Sequence, residues 1–95
     1  MSAYIIVEIE VTDPELYARY KQLAPATVAA HGGRYLARGG ATVALEGDWD
    51  PQRLVILEFA SLEQAQAWHD SPEYRDARTL RWHAARSRML AVAGV

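Results

Sequence analysis

Residues 3–11 alternate in character: Ala3, Ile5, Val7, Ile9 and Val11 on one side, Tyr4, Ile6, Glu8 and Glu10 on the other. That period of two predicts a half-buried strand. The period then lengthens. Asp13 is suited to cap a helix and Pro14 to occupy its first position, where no N–H is needed. Leu16, Tyr20, Leu23, Thr27 and Val28 recur at helical spacing and form its expected buried stripe. Pro25 is expected to kink or divide this helix, because its ring meets the carbonyl of Lys21, and Gly32 to end it.

Beyond it, "GRYLAR" predicts a second strand, and "ATVALEG" a short extra hairpin segment after Gly39 and Gly40. "RLVILEFA" is apolar on both faces for most of its length and predicts a central strand. Ser61 with Gln64 has capping-box spacing and opens a second helix, which Ser71 and Pro72 restart. Tyr74, Ala77 and Leu80 would face inward from that segment. "AARSRMLAVAG" alternates as a last strand. The order βαββαβ predicts an α+β, ferredoxin-like fold. It consists of a four-stranded antiparallel sheet with helices on one face, the first and third strands central, in a single domain over residues 1–95.

Helices cover one face of such a sheet, and the apolar parity of Ile5, Val7, Ile9, Val55, Leu57 and Phe59 suits them. The opposite parity holds Ile6, Leu54 and Ile56, too apolar a set to remain wet. A second copy of the chain is the simplest cover, so a homodimer through the sheet face is expected. A 95-residue chain buries only about 60–65% of its unfolded surface and gains from such further burial.

Bulk chemistry narrows the function mainly by exclusion. The absence of cysteine excludes disulfides, thiol catalysis and thiolate metal sites. A net charge of −2 gives no general attraction to nucleic acid or to an anionic membrane. The first residues lack a basic leader and are broken by Glu8 and Glu10, which points to the cytoplasm rather than to a signal peptide or spanning helix. His31, His69 and His83 have no metal-ligand spacing, so neither metal nor haem is expected. Nothing resembles a nucleotide loop: "HGGRYLARGG" has neither GxxxxGK[ST] nor GxGxxG, and its glycines suit a helix end and a strand bulge. No cofactor is expected. The run from Arg75 to Arg88 carries five arginines and His83 against Asp76, and reads as a solvated helix face with salt bridges.

Two sets of residues are candidates for chemistry. With the two central strands taken as parallel neighbours, Glu8 and Glu58 lie toward their C-terminal ends on one face, and Arg34 reaches Glu58 from the next strand. Paired carboxylates raise one pKa and an adjacent guanidinium lowers it, so the group reads either as a proton-transfer site or as an ion network that holds two sheets in register. Glu58, Arg34 and His31 are the catalytic candidates. Tyr17, Arg38, Trp68, Ser71 and Tyr74, with Glu8, are the candidates for binding a small apolar or aromatic molecule between helices and sheet. Tyr17, Tyr20, Trp68 and Tyr74 read equally as core.

Five blocks in order, "HGGRYLARGG", "LEGDW", "RLVILEF", "AWHDSPEY" and the following Arg81, resemble a bacterial family of unknown function of about this length, within the dimeric α+β barrel superfamily. The resemblance implies a dimer whose sheets face each other. Related families include cofactor-independent quinone-forming monooxygenases, muconolactone isomerases and haem-handling proteins. The family itself has no agreed activity, so two functions stay open: a small-molecule pocket whose catalysis, where present, is cofactor-independent acid/base chemistry, and a non-catalytic ligand-binding or protein-interaction module. Fold analogy supplies no catalytic residues.

Overall fold

Four antiparallel strands in the order β2-β3-β1-β4 form one sheet in the computed structural model, which describes residues 1–95. The elements are β1 (Ala3–Val11), α1 (Pro14–Ala30), β2 (Arg34–Arg38), β3 (Arg53–Phe59), α2 (Leu62–Asp70), α3 (Pro72–Ala84) and β4 (Ala85–Ala93). This is the expected ferredoxin-like α+β arrangement, with its last helical segment divided in two. Asp13 caps α1 by accepting from the Leu16 amide, Ser61 caps α2 through the Gln64 amide, and Ser71 caps α3 through the Tyr74 amide. The capping box at α2 is only half made: the Gln64 side chain donates to the His31 carbonyl at the end of α1.

The helix-side parity is buried as expected: Ile5, Val7 and Ile9 from β1 and Val55, Leu57 and Phe59 from β3 form the core with the helices. Tyr17, Tyr20, Ala24, Thr27 and Val28 are the buried residues of α1, whereas Leu23 is half exposed, off that stripe. Trp68 stacks between Phe59 and Tyr74, with ring centroids at 5.5 and 4.1 Å, contacts of the kind that add about 0.5–1.5 kcal/mol per pair beyond burial.

Four expectations are corrected. First, α1 is not divided at Pro25 but continues through it as one helix. Proline leaves the Lys21 carbonyl without its helical donor, and Arg38 supplies the missing hydrogen bond from β2, at 3.1 Å. Second, "ATVALEG" forms no strand: residues 40–52 are irregular, with Val43 and Leu45 well exposed. Alternation makes a strand only where an edge and an apolar surface receive it, and a lone hairpin is marginal in water. Third, the bulge falls at Leu36, between the pairs Tyr35–Leu57 and Ala37–Ile56. Gly39 instead turns the chain at the end of β2, with φ +74°.

The fourth correction concerns strand direction. β1 and β3 are antiparallel, pairing Tyr4 with Glu58 and Glu8 with Leu54. A β-α-β unit returns its second strand parallel to its first, so β3, which lies between them and pairs antiparallel with β2 across the long segment 39–52, opposes both. Glu8 and Glu58 therefore lie at opposite ends of the sheet, about 14 Å apart along the strands.

Candidate functional site

The two candidate sets fall on opposite faces of the sheet. On the open face, strand pairing places Arg34 beside Glu58, Arg88 beside Glu8 and Arg86 beside Glu10. Arg34 Nε donates to Glu58 at 2.6 Å, and Arg88 Nε to Glu8 at 2.9 Å, with Trp49 Nε1 donating to the second Glu8 oxygen at 3.1 Å. These bonds hold both carboxyls below the usual range, through Arg34 and then the Ser2 hydroxyl for Glu58, and through Arg88 and then Trp49 for Glu8. The expected Arg34–Glu58 pair is formed, and the carboxylate pair is not. Between the charged rows lie Ile6, Ile56 and Leu54, half-buried, with Leu90 and Val92 more exposed.

His31 is on the other side, at the end of α1, with Nε2 3.1 Å from a Glu73 oxygen on α3. The trio Glu58, Arg34 and His31 is thus split by the sheet. Ser71 is buried at the junction of α2 and α3, where its hydroxyl donates to the Trp68 carbonyl while capping α3. That work is structural.

Tyr17, Arg38 and Trp68 do come together. They line a cavity between α1 and the β1-β3-β2 part of the sheet, with Tyr20, Lys21 and Ala24 from α1, Tyr35 from β2 and Arg53 from β3. Its free volume, about 20 Å³, suits a single water. Rings form the walls and long cations the rim. Arg53 Nε donates to the Tyr17 hydroxyl at 2.9 Å, the Arg38 guanidinium lies 4.7 Å from the Tyr35 ring centre, and Lys21 Nζ lies 5.8 Å from that of Tyr17. Gly39 makes room for this rim: a Cβ there would collide with the Arg53 guanidinium. Gly33 passes equally close to the core, where a Cβ would meet Phe59 and Val28. The glycines flanking "RYLAR" therefore fit β2 between core and cavity, and Gly32 gives α1 its stop with φ +73°.

Behind the cavity the polar atoms form one hydrogen-bonded chain. Arg81 is 3% exposed and forms no ion pair with any carboxylate. Its Nε donates to the Tyr74 hydroxyl at 3.3 Å, and its Nη1 to the Ser87 hydroxyl. The Tyr74 and Tyr20 hydroxyls are 2.7 Å apart. Burial, and then Tyr74, push the Tyr20 phenol well above its ordinary pKa. Burial also raises Tyr17, opposed by Arg53, and Tyr35, opposed by Arg38. All three stay protonated near neutral pH.

Tyr20, Lys21, Tyr35, Arg53 and Arg81 are the residues that sequence reasoning missed. Arg81 shares its helical stripe with Tyr74, Ala77 and Ala84, and Arg53 shares its strand parity with Val55 and Leu57. An arginine on an apolar stripe was the available signal. No group of three or more His, Asp or Glu side chains is placed to hold a metal ion, and no helix is long and apolar enough to cross a membrane.

The chain belongs to a family described as a domain of unknown function (DUF1330), whose model matches residues 2–95. No curated protein matches it. Among solved structures it is similar to a protein of unknown function from Rhodopseudomonas palustris, at 20% identity over 99% of this chain and 82% of that one, with a TM-score of 0.77. A dimeric ferredoxin-like protein of unknown function from Jannaschia sp. CCS1 is similar at 13% identity over 99% and 100%, with a TM-score of 0.68. SnoaB, a cofactor-independent oxygenase from Streptomyces nogalater, is similar at 14% identity over 99% and 93%, with a TM-score of 0.65.

Proposed function

We propose that this DUF1330 member is a homodimer that binds a small aromatic molecule in the cavity between α1 and its sheet. The observation that carries the reading is the cavity wall itself. Tyr17, Tyr20, Tyr35 and Trp68 converge there from three elements, with Lys21, Arg38 and Arg53 at the rim. Apolar walls with a few convergent polar groups are the usual make-up of a small-molecule site. Lys21 and Arg38 are exposed side chains at the rim, and their rotation is the route by which we expect the cavity to widen from its resting volume of about 20 Å³ to admit a ring.

Homodimer formation is supported by the open face. Its half-buried isoleucines and exposed Leu90 and Val92 sit between rows of ion pairs, and similar folds include proteins described as dimeric. The chemistry we assign is binding. Acid/base chemistry through Glu58 is disfavoured, because Arg34 keeps that carboxylate ionised near neutral pH, and His31 does not share its face.

The test is a titration of the native protein with simple benzene derivatives, read by ring signals in NMR and paired with sedimentation equilibrium. Saturable shifts at Tyr17, Tyr20, Tyr35 and Trp68, with Tyr4 on the open face unmoved, are the expected result. Shifts at Tyr4 alone, or at no ring, would overturn the site. A monomer at micromolar concentration would overturn the dimer. Ile56→Lys should weaken association at least a hundredfold.

A further inference from the structure

We infer that the molecule taken by this cavity presents an anionic oxygen, a carboxylate or a phenolate, to a set of groups able only to donate. The inference rests on the cavity reading above and adds the charge of the ligand. Lys21, Arg38 and Arg53 line the cavity, no carboxylate does, and none of the three is ion-paired. Outside the cavity, Arg19 and Arg75 are also without a carboxylate, but every arginine on the open face of the sheet has one. Arg34, Arg78, Arg86 and Arg88 each have a carboxylate within ion-pairing distance.

The phenols extend the same polarity inward. A guanidinium has no acceptor atom, so Arg81 must donate to Tyr74. Tyr74 is fully buried, and the Tyr20 oxygen is the acceptor the structure offers its proton. With Tyr74 donating to Tyr20, the Tyr20 O–H is left free, on a residue that lines the cavity. A buried donor without a partner is costly, and a ligand oxygen would satisfy it. Tyr17 repeats the arrangement: its oxygen accepts from Arg53, which leaves its own proton to donate. Burial holds both phenols protonated, as donors rather than bases.

Arg81 strengthens the inference from behind. Removing a guanidinium from water costs several kcal/mol unless an opposite charge repays it. The structure provides two neutral hydroxyls and no carboxylate for it. An anion in front of Tyr20 would receive the field of Arg81 through two polarised hydroxyls as well as the direct contacts of the rim.

The experiment compares benzoate, benzamide and benzylammonium, which share a ring and differ in charge, at fixed ionic strength on the full chain. Ring signals of Tyr17, Tyr20, Tyr35 and Trp68 report the site. Benzoate should bind at least tenfold more tightly than benzamide, and benzylammonium more weakly than either. Arg53→Gln, at the rim, and Tyr20→Phe, at the end of the hydroxyl chain, should each reduce the benzoate preference at least threefold. Should Tyr20→Phe fail to fold, Arg53→Gln alone decides the matter. 4-Nitrophenol, titrated through its own ionisation, separates the two sources of the anion. Tighter binding of its ionised form assigns phenolates, and a preference confined to benzoate assigns carboxylates. Equal affinity for benzoate and benzamide would overturn the charge of the ligand while leaving the cavity reading intact. Silence from every probe would overturn both.

Discussion

The two faces of the sheet use the same residue types to opposite ends. On the open face each arginine stands across from a glutamate: Arg34 by Glu58, Arg88 by Glu8, Arg86 by Glu10. On the helix side Arg38 meets a carbonyl, Arg53 a phenol and Arg81 two hydroxyls. Balanced pairs beside an apolar strip specify how a second surface registers on the first, and contribute through complementarity more than through raw affinity. The helix-side cations lie beside rings and neutral oxygens with no carboxylate among them, and Arg81, the buried one, bears the desolvation cost most fully. A protein tolerates that where function requires it. In the proposed function the open face accordingly serves assembly and the cavity a ligand.

The largest effects should come from replacing one arginine on each side by methionine, which keeps most of the volume and removes the charge. Arg34→Met leaves Glu58 without its guanidinium partner on the open face and should weaken the dimer severalfold, seen in sedimentation equilibrium. Arg81→Met should move stability the other way. Buried ions replaced by apolar groups often stabilise by about 1–4 kcal/mol, and each 1 kcal/mol raises Tm by about 4–8 °C in a domain of this size. A marked loss of Tm in Arg81→Met would break the contrast, because Arg81 would then be a structural residue like Arg34.

This contrast was only partly legible in the sequence. Alternation in Ala3–Val11 and Arg53–Phe59 separates the two faces without ambiguity, since a period of two has one solution. It carries no strand direction, so Glu8 and Glu58 share a face by parity and are placed together only by an added assumption. The observed register removes that assumption, as β3 runs against both of its neighbours. Arg34 opposite Glu58 survives because it depends on the β2–β3 hairpin alone. Arg38 is different. Parity counted from Arg34 puts it on the open face, and only the bulge at Leu36 turns it to the cavity. A bulge is one residue of slip, and no residue in "RYLAR" announces it. Arg81 was legible as a stripe residue and hidden by its basic neighbours.

The two faces should also fail at opposite ends of the pH scale. Glu8 and Glu58 have folded pKa values below the ordinary 4.5. The stability they contribute is complete above the unfolded value and is lost as pH falls through the folded one. Acid should therefore loosen the open face, and the dimer with it, below about pH 4.5. Tyr17, Tyr20 and Tyr35 lie above the ordinary 10.0 in the fold. There the unfolded chain gives up phenolic protons that the native chain keeps, so stability is complete below the unfolded value and falls as pH rises past it. Denaturant midpoints followed through both limits should show the alkaline loss beginning near pH 10, and Tyr20→Phe should flatten it without altering the acid limb. An unchanged alkaline slope in that variant would remove Tyr20 from the buried network.

The smallest effect separates what Arg38 does for the helix from what it offers the cavity. Its guanidinium takes the Lys21 carbonyl that Pro25 leaves free, a bond worth about 0.5–1.5 kcal/mol net. Arg38→Met should cost that amount in the native chain. In Pro25→Ala the backbone amide at position 25 can take the carbonyl instead, and the same Arg38 substitution should then cost almost nothing. The double-mutant cycle, read from denaturant midpoints, should return a coupling of about 0.5–1 kcal/mol between residues that meet through one oxygen. The coupling is a statement about charge as well as stability. Arg38 needs no carboxylate because a helix carbonyl spends one of its donors, and the remaining N–H groups stay available at the rim. A cycle with no coupling would mean that Arg38 is held by Tyr35 alone. Its lack of a carboxylate would then be as unsupported as that of Lys21, and the helix side would lose the one cation whose position the backbone explains.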